Sequence, residues 1–111
     1  MGTDSFPGVI GTLLRFELKD DAAVRGFDRL AATMIAAVKA GEPDTLIYVF
    51  HTVEGEPLSR VVYEVYTDQQ AAERHGSTDY FRRVMVELEQ YVASVRVEAL
   101  GGLRGKVSEI G

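Results

Sequence analysis

The chain has 111 residues and a formal net charge of −5, enough for one hydrophobic core and not for two. Its acidic residues are scattered, and without a basic stripe it makes a poor partner for nucleic acid or anionic lipid. It contains no cysteine, which excludes disulfides, zinc ribbons, iron–sulfur clusters and thiol catalysis.

The longest apolar stretch, residues 31–38, is too short to span a bilayer. The opening MGTDSFPG has neither the basic nor the apolar region of a secretion signal, and Phe6 occupies the position where a myristoylation motif needs Ser or Thr. A soluble, cytoplasmic protein is expected.

Residues 9–18 (VIGTLLRFEL) read as a strand, rich in large apolar residues and alternating in the second half. Asp20 or Asp21 offers a helix cap. Val24, Phe27, Leu30, Met34 and Val38 then fall in steps of three and four, which predicts one buried stripe on a helix over 21–40. Gly41 is placed to end that helix in a left-handed turn, and Pro43 blocks continuation. Residues 45–53 and 58–66 are two further strands, joined as a hairpin by Glu54-Gly55-Glu56-Pro57. Thr67 and Gln70 fit a capping box for a short helix ending at Gly76. Thr78 caps the next helix, with Asp79 in its first turn and a stripe of Phe81, Val84, Met85, Leu88 and Tyr91. Residues 95–100 alternate as a last strand. The whole chain, 1–111, reads as a single domain, with residues 1–7 and 101–111 as flexible or exchanged ends.

The order β-α-β-β-α-β is that of ferredoxin-like α+β folds. It predicts a four-stranded antiparallel sheet with its helices on one face. A sheet wet on the other face should alternate with polar residues. Here Val61, Tyr63 and Val65 oppose Val62, Glu64 and Tyr66, while Leu46, Tyr48 and Phe50 oppose Ile47, Val49 and His51. Apolar groups on both faces predict a homodimer, sheet against sheet.

Imidazole can come only from His51 and His75. With Glu64 they make the ingredients of a two-His–one-carboxylate site, but no spacing makes them converge, so no metal is expected. No Gly-rich loop joins a strand to a helix, so no nucleotide or flavin is expected either. His75, just before Gly76, is either a surface residue at a helix end or a base at a pocket mouth. Glu64, mid-strand among Val62, Tyr63, Val65 and Tyr66, is either a structural partner or a pocket acid–base group. Its structural partner would be Arg60, Arg82, Arg96 or a tyrosine hydroxyl. In a pocket, desolvation would raise its pKa.

The stretch from Gly41 to Phe81 carries Glu42, Pro43, Thr45, Leu46, Tyr48, Tyr63, Glu64, Tyr66, Asp68, Ala71, His75, Thr78 and Phe81. In that order and spacing it resembles the antibiotic-biosynthesis monooxygenase domain of the dimeric α+β barrel superfamily. Asp44 departs from the glycine usual in the family, and Tyr80 from a second histidine found in many members. Haem-degrading relatives place a haem-ligating histidine where this chain has Met85, and the chain has no tryptophan, so haem oxygenation is rejected.

The resemblance implies a small cofactor-independent monooxygenase acting on a hydroquinone, phenol or anthrone-like aromatic substrate. Glu64 and His75 would handle protons, and Tyr48, Phe50, Tyr66, Tyr80, Phe81 and Met85 would contact the ligand. The alternative is a non-catalytic dimeric module of the same fold that binds a small aromatic molecule or serves a stress response. Tyr80 in place of histidine leans that way.

Overall fold

A computed structural model describes residues 5–107 of the chain. Its elements are β1 (Ser5–Phe6), β2 (Ile10–Leu18), α1 (Asp21–Gly41), β3 (Thr45–Val53), β4 (Glu56–Tyr66), α2 (Gln69–Gly76), α3 (Asp79–Leu88), β5 (Val92–Leu100) and β6 (Leu103–Arg104). Four strands form one antiparallel sheet in the order β3-β4-β2-β5, the arrangement expected of a ferredoxin-like α+β chain. The two ends pair with each other, Ser5 opposite Arg104 and Phe6 opposite Leu103, in a separate two-stranded ribbon. The expectation of flexible or exchanged ends also covers residues 1–4 and 108–111, which lie outside the described residues.

The core lies between the sheet and the helices. Phe16, Leu18 and Val62 from the sheet meet Phe27, Ala31 and Met34 of α1 and Val84 and Leu88 of α3. Phe27 is its centre, 1% exposed, with the Phe16 ring 5.1 Å away and the Phe50 ring 6.0 Å away. The α1 stripe includes Phe27, Met34 and Val38 as predicted. Ala23, Gly26 and Ala31 are also buried there, while Val24 and Leu30 are only half-buried. Small residues take the tightest places because α1 runs close to its neighbours. A Cβ on Gly26 would lie 2.3 Å from Cζ of Tyr91.

Local details differ from the sequence expectations in ways the chemistry explains. Gly41 is the last residue of α1 and does not adopt a left-handed conformation. Glu42 caps the helix, its backbone N–H donating to the Val38 carbonyl. Asp68, not Thr67, caps α2: its carboxylate accepts from the Ala71 N–H at 2.8 Å, and an ionised acceptor there outcompetes a hydroxyl one residue earlier. Thr78 caps α3 as expected, accepting from the Phe81 N–H. The hairpin turn is tighter than expected, with Gly55 at φ +77, and β4 begins at Glu56. Pro57 is tolerated because the β3–β4 ladder shifts register there, between Thr52 and Val53.

Candidate active site

A cavity of about 270 Å³ lies between the helix-side face of the sheet and the helices. Thr12, Leu14 and Phe16 of β2, Tyr48 and Phe50 of β3, and Val62, Glu64 and Tyr66 of β4 form its floor. These positions share a face because side chains alternate along a strand, and the register sets Thr12 and Tyr48 directly opposite Glu64. Phe27 and Met34 of α1, His75 of α2, and Phe81 and Met85 of α3 form the roof. The lining is mostly aromatic and aliphatic, with few polar groups, the usual composition of a small-molecule site.

His75 is buried, only 3% exposed, and not the surface residue its position at a helix end allowed. It sits in an aromatic cage, with ring centroids 5.1 Å from Phe81, 5.3 Å from Tyr48 and 5.8 Å from Tyr66. Its Nδ1 is held by both carboxylate oxygens of Glu42, at 2.9 and 3.1 Å. Glu42 also accepts from Thr45 Oγ1 at 2.7 Å and from the Tyr80 hydroxyl. Burial alone would raise the Glu42 pKa. The hydrogen bonds from Tyr80 and Thr45, with His75 beside it, outweigh burial and hold the carboxyl below its ordinary range. An ionised carboxylate can only accept, so Nδ1 must carry the hydrogen it donates. The other nitrogen, Nε2, is buried without a protein partner. A carboxylate has therefore fixed one side of the ring and left the other free for a ligand, the arrangement that makes an imidazole a directed base.

Glu64 is both a partner to a tyrosine hydroxyl and a cavity group. It lines the cavity, and its Oε1 accepts from the Tyr66 hydroxyl at 2.5 Å. None of the anticipated arginines is its partner: Arg60 forms a two-point pair with Asp28, and Arg82 stands near Asp79. Burial pushes the Glu64 pKa up, against the opposing effects of the Tyr66 bond and of His75. Burial, followed by the nearby Glu64 charge, also pushes the Tyr48 and Tyr66 hydroxyls up, so both stay neutral donors.

Of the residues named from the sequence, Glu64, His75, Tyr48, Phe50, Tyr66, Phe81 and Met85 all line this one cavity. Tyr80 does not. It lies behind His75, with its hydroxyl on Glu42 and its pKa pushed up to about 12 by burial and by that bond. Phe81 faces inward, and the preceding residue on a helix points about 100° away. His51 is exposed on the opposite face of the sheet, opposite Val61, and does not meet Glu64 and His75. Among the described residues no group of three or more His, Asp or Glu side chains is placed to hold a metal ion. In the sequence Glu42 is one residue of the family-like stretch from Gly41 to Phe81, with no role of its own. Only its contacts in the folded chain reveal one.

The sequence profile of the antibiotic biosynthesis monooxygenase family matches residues 9–87. No curated protein matches the sequence. Among solved structures, a Caulobacter crescentus protein described provisionally as an antibiotic biosynthesis monooxygenase is 28% identical. It superposes with a TM-score of 0.81 over 89% of this chain and 93% of its own. A Lactobacillus acidophilus protein, described provisionally as a monooxygenase, is 23% identical with a TM-score of 0.81. That match covers 93% of this chain and 49% of the other. A Nitrosomonas europaea protein of the same provisional family name is 17% identical, with a TM-score of 0.80 over 87% of this chain and 92% of its own. The last two show the shared fold. With the profile spanning well over half of its length, the chain belongs to the antibiotic biosynthesis monooxygenase family.

Proposed function

We propose that the protein is a cofactor-independent monooxygenase for a one- or two-ring hydroquinone or related phenol, working as a homodimer. Family membership supports the general reaction type. The observation that carries the site assignment is the buried, cavity-lining His75, held through Nδ1 by Glu42 while its Nε2 has no protein partner. The volume bounds the substrate: an engineered cavity of about 150 Å³ accepts benzene, so about 270 Å³ suits one or two fused rings. Phe50, Phe81 and Met85 supply flat or polarisable surface to hold such rings.

The chemistry asks little of the chain. His75 Nε2 takes a hydroxyl proton from the hydroquinone, and the resulting anion passes an electron to dioxygen. The two radicals join in a carbon–oxygen bond as a ring peroxide, to which His75 returns its proton. His75 then takes the ring proton as hydroxide leaves the peroxide. Proton and hydroxide make water, and a hydroxyquinone remains. All the electrons come from the substrate. Glu42 steadies the imidazolium each time it forms, and a positioned base of this kind is worth about 10²–10⁴ in rate.

Chelator-treated protein, given a naphthohydroquinone in an oxygen electrode, should consume one dioxygen per hydroquinone and yield the hydroxyquinone. Uptake that disappears on chelation and returns with iron or flavin would contradict cofactor independence. Tight binding of the hydroquinone with no uptake above buffer would point instead to the non-catalytic module. The second copy is expected on the helix-free sheet face, where Val49 is 39% exposed beside half-buried Leu13, Ile47, Val61 and Tyr63.

A further inference from the structure

The cavity holds more acid–base equipment than the oxidation of a phenol needs. A phenolic hydroxyl is a moderately acidic group, about as acidic as tyrosine at pKa ~10, and one base is enough to ionise it. Here a second titratable group, Glu64, lines the same cavity as His75. Tyr66 ties the two together. Its hydroxyl donates to Glu64 Oε1 at 2.5 Å, and its ring centroid lies 5.8 Å from that of His75. Tyr48, opposite Glu64 in the strand register, closes the group with its ring 5.3 Å from His75. With Oε1 engaged as an acceptor, Oε2 is the oxygen left to carry a proton toward a ligand. A base with a free nitrogen and a carboxyl in an apolar cavity, each set by its own partners, is an arrangement for moving two protons at once.

Carbon acids require that arrangement. Removing a proton from the carbon beside a ketone is slow unless the carbonyl oxygen is protonated or hydrogen-bonded as charge develops on it. We infer that His75 and Glu64 act as a base and acid pair that interconverts a benzocyclic ketone and its enol in this cavity, without dioxygen. His75 Nε2 takes the proton from the carbon, whose bonding pair becomes the new carbon–carbon double bond. The carbonyl π pair moves to oxygen, and Glu64 Oε2 delivers a proton there. In the reverse direction the Glu64 carboxylate recovers the hydroxyl proton and His75 returns one to carbon. Nothing is oxidised or reduced. The inference shares with the proposed function only the role of His75 as cavity base, and it makes a two-ring ketone a ligand of the site alongside a hydroquinone.

The test uses the full chain under nitrogen in deuterated water, with β-tetralone as the probe. Proton NMR follows loss of the signal from the carbon between the ring and the carbonyl. The wild-type protein should accelerate exchange on the order of 10²-fold over buffer containing an equal concentration of imidazole. β-Naphthol, a planar mimic of the enol, should suppress the acceleration. Glu64→Gln keeps the shape and the Tyr66 contact but cannot transfer a proton, and should lose about tenfold or more of the rate. His75→Gln should fall to the buffer rate. If His75→Gln does not fold, suppression by β-naphthol in the wild-type protein decides the matter. Exchange no faster than the imidazole buffer, exchange untouched by β-naphthol, or exchange surviving in Glu64→Gln would each overturn the inference. Oxygen uptake on a hydroquinone without ketone exchange would overturn it and leave the oxygenase standing. Exchange without oxygen uptake would do the reverse.

Discussion

Two carboxylates, Glu42 hydrogen-bonded to the His75 imidazole and Glu64 lining the same cavity, have opposite tasks, and their surroundings explain why. Glu42 accepts from Tyr80, Thr45 and His75, so it stays ionised despite burial. Glu64 has one donor, Tyr66, in an apolar setting, so burial wins and its pKa rises. The consequences for stability have opposite signs. Glu42, with its folded pKa lowered, contributes stability that is present above its unfolded value and lost as pH falls through the folded one. Glu64, with its folded pKa raised, contributes stability below its unfolded value that is lost as pH rises through the folded one. Glu64→Gln should therefore melt close to wild type in acid and above it once pH has climbed past the raised folded value. Melting curves across that range check this, and a difference constant with pH would refute it. Glu64 drew attention in the sequence because a carboxylate among apolar neighbours is costly. Glu42 lay at a helix–strand junction, where an exposed acid is unremarkable, and its partners His75 and Tyr80 are 33 and 38 residues away in sequence.

The elements were readable because each has a period of its own. Alternation marked β2 and β5, the three-and-four spacing marked α1 and α3, and Gly55 marked the hairpin. Boundaries were less legible, because they turn on single capping contacts such as Asp68 to Ala71. The close side-chain fit between elements was not legible, and Gly26 shows why. Within an exposed helix, Gly to Ala gains about 1 kcal/mol. Here the Tyr91 ring fills the space, and a Cβ would lie 2.3 Å from its Cζ. Overpacking costs about 1–3 kcal/mol, so Gly26→Ala should lower stability in urea denaturation. In a Tyr91→Ala background the same change should raise it. The same sign in both backgrounds would show that the ring is not the obstacle.

At the scale of the whole molecule, the chain is elongated. Its radius of gyration is 14.8 Å, against about 13 Å for a typical domain of this length. All of residues 93–99 on the edge strand β5 are exposed, including Val95 at 50% and Val97 at 57%. Those two valines stand opposite Phe16 and Leu14, on the helix side of the sheet. On the helix-free face, Val49 with Leu13, Ile47, Val61 and Tyr63 leaves apolar surface that a second copy would cover. Light scattering at micromolar concentration should give twice the chain mass of 12.2 kDa, and Val49→Lys with Tyr63→Lys should halve it. A wild-type monomer would refute the dimer. No helix among the described residues is long and apolar enough to cross a membrane. Everything proposed for the cavity depends on one atom, the Nε2 of His75. Nitrogen NMR of the two imidazoles reads it directly. In the free protein at neutral pH, His75 should carry its hydrogen on Nδ1 with Nε2 bare or, when charged, as the second N–H. On adding β-naphthol, the Nε2 signal of His75 should shift while His51 stays unchanged. A neutral His75 with its hydrogen on Nε2, or a His75 signal that ignores the ligand, would contradict the account.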